Sequence, residues 1–118
     1  MRVRDRRKGE RRESPRVPMA FLIRDATEEE APWALGEGNL SLGGFQWRGK
    51  PPPKGKVLDV RFRLPRFRRE IRAKGEVIRV TGENGSSRFH IRFTELELKS
   101  EMAIARFLDE VFYNKKRP

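Results

Sequence analysis

The feature that most restricts the fold of this sequence is the regular alternation of apolar and polar residues in short segments. In Val57–Leu64, every second residue from Leu58 onward is apolar, and the residues between them are charged. Arg88–Phe93 alternates in the same way, with its apolar residues at Phe89, Ile91 and Phe93. A period of two residues predicts β-strands that bury one face and expose the other.

Four further short segments also predict strands, because they are apolar and are bounded by glycine, proline or acidic turns. They are Val17–Arg24, Trp33–Leu40, Phe45–Arg48 and Ile71–Val80. The alternation in the last of these shifts phase at Ile78, which predicts a β-bulge. Asn84-Gly85, between the last two predicted strands, is typical of a hairpin turn.

One helix is predicted, at the C-terminal end of the chain. Ser100 is suited to the N-cap, and apolar residues then follow at helical spacing: Ile104, Phe107, Leu108, Val111 and Phe112. No long helix separates the predicted strands, which argues against a parallel α/β sheet. We therefore expect a mainly β fold, a six-stranded antiparallel β-barrel with a C-terminal α-helix, formed by residues 16–118.

Residues 1–15 carry many charges and no apolar periodicity, which predicts a flexible basic arm. The whole chain has a net charge of +11, so a nucleotide, a nucleic acid, an anionic lipid or an acidic protein could be its partner. Arginine has a planar guanidinium that matches phosphate and guanine edges. Arg12 and Arg16 could therefore bind such a ligand, or they could belong to a solvated basic tail.

The composition also excludes several kinds of site. The chain has no cysteine and one histidine, His90, so disulfides, cysteine-based zinc sites and histidine metal cages are excluded. No nucleophile stands beside a base, so we expect neither enzymatic activity nor a cofactor. No segment has the length and apolarity of a membrane span or a secretory signal, and we expect a cytoplasmic protein.

The segment Asn39–Gly44 is the second candidate site. Asn39 and Ser41 offer compact hydrogen-bonding groups, and the Gly43-Gly44 pair permits close approach of a ligand and a positive φ. The same residues suit a tight turn between strands. Trp47 follows closely and could stack on a base or a guanidinium, or pack in the core; for Trp33 we expect the core.

The order of these motifs resembles the PilZ domain family. Arg12-x-x-x-Arg16, a strand, and then Asn39-x-Ser41-x-x-Gly44 match the RxxxR and [D/N]xSxxG motifs of that family, and the resemblance covers about residues 10 to 113. It implies a six-stranded barrel that binds cyclic di-GMP, often as an intercalated dimer. Asn39 replaces the commoner aspartate, and Pro15 lies inside RxxxR, where it restricts Ser14 to extended conformations.

The resemblance also implies roles for individual residues. Arg12 and Arg16 would contact phosphates and guanine faces, with Arg11 adding a contact. Asn39 and Ser41 would bond a guanine edge and a phosphate. The complete predicted set of ligand-binding residues is Arg11, Arg12, Arg16, Asn39, Ser41, Gly43, Gly44 and Trp47.

Three functions follow from this reasoning. The first is a single-domain receptor and adaptor, whose arm orders on cyclic di-GMP and alters the surface that binds an effector protein, for example one of motility or biofilm regulation. The second is a PilZ-like adaptor that docks on a motility or signalling protein without the ligand. The third, a nucleic-acid-binding barrel, ranks last because it leaves the loop motif unexplained.

Overall fold

The computed structural model describes residues 17–28, 30–82 and 86–116, so the predicted arm of residues 1–15 lies outside the described residues. Six strands and one helix form this part of the chain. They are β1 (Val17–Asp25), β2 (Ala34–Leu40), β3 (Gly44–Gly49), β4 (Val57–Phe62), β5 (Ile71–Thr81), β6 (Arg88–Leu96) and α1 (Leu98–Lys116).

The strands close into a barrel in the order β1-β2-β3-β6-β5-β4. Every neighbouring pair is antiparallel. Closure pairs both edges of each strand, which removes the open edges at which sheets aggregate. The predicted mainly β fold, a six-stranded antiparallel barrel with a C-terminal helix, is confirmed.

The apolar faces of the strands fill the barrel. Leu58, Val60 and Phe62 on β4 are buried, as their alternation predicts. The rings of Phe21 and Phe45 stack at the centre, with 4.2 Å between their centroids. The apolar stripe of α1 joins the same core, because Ile104 and Leu108 are buried in it.

The β-bulge predicted at Ile78 is confirmed, because the register between β5 and β6 shifts between Val77 and Arg79. A second shift, between Lys74 and Gly75, was not indicated by the sequence pattern. The bulge turns Ile78 outward, where 57% of its surface is exposed.

The prediction of Ser100 as the helix N-cap is wrong. The helix begins at Leu98, and the amide of Glu101 already donates to the carbonyl of Glu97 at 2.9 Å. Ser100 lies within the first turn, where it is buried. A serine suits both positions, and here the packing of α1 on the barrel decides between them.

The structure decides between the two roles considered for Trp47 and contradicts the one expected for Trp33. Trp47 is completely buried, and its indole N–H donates to the Phe21 carbonyl at 3.1 Å. Trp33 precedes β2 and is half-buried, with the guanidinium groups of Arg24 and Arg61 at 4.6 and 5.1 Å from its ring centroid. The core prediction for Trp33 is therefore wrong. The guanidinium contact that we considered for Trp47 occurs at Trp33 instead.

The connection between β4 and β5 contains a residue in a strained conformation. Arg66 is exposed and has a φ of 67°, in the left-handed region that disfavours side chains with a Cβ. Arg66→Gly is expected to raise the free energy of unfolding by about 0.5 to 1 kcal/mol, because relief of strain exceeds the added entropy of the unfolded chain. Urea denaturation measures this change. Arg66→Ala keeps the Cβ and should give no such gain; equal gains in both variants would contradict this explanation.

Candidate functional site

The loop between β2 and β3 forms one end of a cleft of about 350 Å³ on the outer wall of the barrel. The cleft continues along β3, β6 and the bulged part of β5. Its lining consists of Asn39, Ser41, Gly43, Gly44, Phe45, Gln46, Ile78, Arg79, His90, Ile91 and Arg92. The structure thus brings together the predicted residues Asn39, Ser41, Gly43 and Gly44.

Hydrogen bonds hold this loop in one shape. The amide and the hydroxyl of Ser41 both donate to the Gly44 carbonyl, at 2.8 and 3.1 Å. The Gly43 carbonyl accepts from the amide of Phe93 on β6 at 2.9 Å. Ser41 therefore positions the loop, and its hydroxyl oxygen retains acceptor capacity towards a ligand.

The positive φ that we predicted for the Gly43-Gly44 pair does not occur. Neither Gly43 nor Gly44 has a positive φ; among the described glycines that conformation occurs at Gly82. A Cβ on Gly44 would collide with the carbonyl oxygen of Ile91 on β6, so this glycine permits close packing of β3 against β6. A Cβ on Gly43 would have no neighbour within 4 Å, so this position faces open space.

A row of polar side chains crosses the wall of the barrel from the loop. In the strand register Asn39 pairs with Gln46, Gln46 with His90, and His90 with Arg79. Adjacent strands lie about 4.8 Å apart, so the row is about 14 Å long. Its amides, imidazole and guanidinium offer donors and acceptors side by side, which is the chemistry needed to bind the edge of a base and an anion.

Several of these partners were not predicted from the sequence. The alternation of β6 predicts that His90 lies on the exposed polar face of its strand, but it is half-buried, with Nε2 at 3.1 Å from the Thr81 hydroxyl. Arg92 follows on the same face and contacts Glu76 at 2.8 Å. The alternation of β6 shows that these side chains point outward, but it does not show that β6 lies beside β3.

Asn39 has an amide that is available to a ligand. It is half-buried, and no hydrogen bond joins its side chain to another group in the described part of the chain. A partly desolvated amide gains more from a bound partner than an exposed one does. Asn39 also lines a second cleft, of about 450 Å³, with Pro18, Gln46, Arg48 and Arg88. The two clefts meet at Asn39 and Gln46.

The predicted ligand residues outside the loop are not brought into this arrangement. Trp47 adjoins the second cleft, but its side chain is fully buried, so the structure gives it a core role and no exposed ring for a base. Arg11, Arg12 and Arg16 lie outside the described residues.

A separate group of charges lies on the wall formed by β1, β4 and β5. Asp59 contacts Lys74 at 2.9 Å and Arg24 at 3.2 Å. Burial raises the pKa of the Asp59 carboxyl, but hydrogen bonds from both cations and their charges outweigh it, and the net pKa is lowered. The hydrogen bond to Asp59 raises the pKa of Lys74. The carboxylate and the two cations are thus paired with one another, as is typical of ion pairs on a protein surface.

Neither a metal site nor a membrane-spanning helix occurs among residues 17–28, 30–82 and 86–116. No group of histidine, aspartate and glutamate side chains there could hold a metal ion. The one helix of this region lacks the apolarity needed to cross a membrane.

The barrel is similar to two solved structures. One is the Inhibitor of motility (MotI/DgrA) of Bacillus subtilis, with a TM-score of 0.67 and 21% identity, over 87% of this chain and 52% of that chain. This chain therefore spans about half the length of that protein. The other is the PilZ domain of CeSA from a cellulose-synthesizing bacterium, with a TM-score of 0.54 and 19% identity, over 80% of this chain and 92% of that chain.

At these identities the likeness to solved structures establishes the fold. No curated protein matches the sequence. The PilZ domain family model matches residues 10–110, which is most of the chain and includes both motifs. The closed six-stranded barrel, the loop Asn39–Gly44 and this match agree. The chain belongs to the PilZ domain family.

Proposed function

We propose that the chain is a receptor for cyclic di-GMP that passes the signal to a partner protein. The observation that carries this proposal is that Asn39, Ser41, Gly43 and Gly44 line one cleft together with arginine side chains. Cyclic di-GMP contains two phosphates and two guanines. An arginine can serve either group, and a carboxamide can bond a guanine edge.

The geometry of β1 supports a role for the preceding arginines. Val17 begins β1, and its partner in the register is Leu40, the residue before Ser41. The chain therefore enters the barrel beside the loop. Arg12 and Arg16, in the segment that leads to Val17, would close over a ligand held by the loop, and Arg11 would add a further contact.

The binding site proposed here has two parts. The loop is held by its own hydrogen bonds and forms the fixed part, whereas residues 1–15 form an arm that becomes ordered on the ligand. Ordering a segment on a ligand changes the surface that a partner meets, which makes the arm a switch. The similarity to an Inhibitor of motility supports a partner protein in motility regulation.

Isothermal titration of the full chain with cyclic di-GMP tests the site. We expect saturable binding, with two ligands per chain if the ligand binds as an intercalated dimer. Arg12→Ala should weaken binding by about tenfold to a hundredfold, because it removes charge-assisted hydrogen bonds. Ser41→Ala should also weaken binding, because the variant has neither the hydroxyl that positions the loop nor its hydrogen bond to the ligand.

Arg68→Ala is the matched control, because Arg68 lies in the β4–β5 connection and does not line the cleft. Unchanged affinity in both Arg12→Ala and Ser41→Ala would contradict the site. No binding by the unmodified chain would favour the adaptor that docks without a ligand. Displacement of a bound oligonucleotide by cyclic di-GMP would show that the two share one surface.

A further inference from the structure

A cleft of about 610 Å³ lies between the β4–β5 connection and helix α1. The connection contributes Arg66, Phe67, Arg68 and Arg69, and the helix contributes residues from Lys99 to Glu110. None of the residues that line it belongs to the cleft beside the loop. It is therefore a surface separate from the cleft beside the loop, and we call it the α1 cleft.

The α1 cleft has an apolar floor. Phe67, Ala103 and Phe107 line it and pack against the barrel core, but they are only partly buried. Met102 stands beside them with 60% of its surface exposed. Methionine adapts its shape to different partners and is common at binding surfaces. A floor of half-buried aromatic side chains beside an exposed methionine is suited to receive apolar side chains.

Positive charge surrounds this floor. Five cations line the cleft: Arg66, Arg68, Arg69, Lys99 and Arg106. Within the described residues none of the five forms an ion pair, although cations on the other walls, such as Arg24 and Lys74, do. Of the three carboxylates in the lining, Glu70 is already held by Arg61 at 2.7 Å. The cleft therefore has an excess of unpaired positive charge.

The backbone of Arg66 gives independent support. Its positive φ is a conformation that a glycine would adopt without strain, yet an arginine occupies it. Strained residues cluster at binding sites, where the side chain has a use that the fold does not require. The arginine at this position supplies a guanidinium at the rim of the cleft.

We infer that this cleft is a docking site for an acidic amphipathic segment of a partner protein. Apolar side chains of that segment would pack on Phe67 and Phe107, and its carboxylates would meet the arginines of the rim. From Lys99 to Glu110 the helix extends about 16 Å, which matches about three turns of a bound helix. Glu97 and Glu110 in the lining, together with the apolar floor, favour a peptide over a nucleic acid backbone.

Nuclear magnetic resonance of the isotope-labelled full chain tests the inference. The probe is a synthetic helical peptide of about fifteen residues, with leucines at helical spacing on one face and glutamates on the flanks. We expect it to shift the amide signals of residues 66–69 and 99–110. The same peptide with lysine in place of glutamate should not bind.

Charge reversal identifies the surface. Arg66→Glu combined with Arg69→Glu should weaken binding of the acidic peptide by about tenfold or more. Lys50→Glu combined with Lys54→Glu is the matched control, since it changes the charge equally at exposed positions outside the cleft, and it should leave the affinity nearly unchanged. Arg66→Ala and Arg66→Gly should weaken binding equally, although only the second is expected to stabilise the fold.

Three outcomes would overturn the inference. The first is the absence of shifts in the cleft at about 1 mM acidic peptide. The second is equal binding of the lysine peptide. The third is that phosphatidylglycerol vesicles or an oligonucleotide shift the same signals while the acidic peptide does not, which would make a membrane or a nucleic acid the partner. Titration of the charge-reversed chain with cyclic di-GMP tests the nucleotide proposal separately, because Arg66 and Arg69 do not line the cleft beside the loop.

Discussion

Replacing Trp47 with alanine is expected to lower the free energy of unfolding by about 4 kcal/mol. The indole is completely buried, its N–H bonds to the Phe21 carbonyl, and its ring lies 6.3 Å from that of Phe89. Alanine would leave a cavity that the closed barrel can fill only in part. Since a domain of this size is stable by about 5 to 15 kcal/mol, much of the stability would be lost.

The second tryptophan provides the comparison. Trp33 is half-buried between two arginines on the outside of the barrel, so Trp33→Ala should cost only about 1 kcal/mol, from the removal of exposed cation–π interactions and some packing. Urea denaturation followed by circular dichroism measures both changes. A smaller decrease for Trp47→Ala than for Trp33→Ala would contradict the assignment of Trp47 to the core.

The two tryptophans show which contacts a local sequence pattern can predict and which it cannot. Alternation places Trp47 on the same face as Phe45, and Phe45 is buried, so the core role was within reach of the pattern. The position of Trp33 was not, because it precedes the first paired residue of β2. Its arginine neighbours come from β1 and β4, which meet only when the barrel closes.

The fold was more predictable than the arrangement of the site. Each half-buried strand carries its own alternation, so strands such as β4 could be recognised one by one. The pairing of β3 with β6 joins Gln46 to His90 across more than forty positions of the sequence, and no local pattern encodes it. The loop motif was therefore visible in the sequence, whereas the cleft it shares with Arg79 and Arg92 required the structure.

The β4–β5 connection gave a similar result. Pro65 to Arg69 is rich in arginine and lies between two strands, so the sequence predicts a basic turn there. The helix that faces this turn begins about thirty residues later in the chain. The combination of charge and apolar floor exists only where the two segments meet, so the composition could indicate an anionic partner but not the place where it binds.

The adjacent glycines Gly43 and Gly44 allow an effect on stability to be distinguished from an effect on ligand binding. Gly44→Ala is expected to lower the free energy of unfolding by about 3 kcal/mol, the upper part of the range for overpacking, because the added methyl meets backbone atoms. It would collide with the Ile91 carbonyl oxygen and lie 2.9 Å from the Cα of Arg92. Strand β6 must move to accommodate it.

Gly43→Ala adds the same methyl one residue earlier and should leave the free energy of unfolding within about 0.5 kcal/mol of the original value, because its Cβ meets nothing within 4 Å. If the proposed ligand approaches this backbone closely, Gly43→Ala should weaken cyclic di-GMP binding by about tenfold, because the added methyl would overlap the ligand and displace it from the loop. Urea denaturation and isothermal titration of the two variants measure both effects. Unchanged affinity in a fully folded Gly43→Ala chain would mean that the ligand does not approach Gly43, and the contact surface of the loop would then be limited to Asn39 and Ser41.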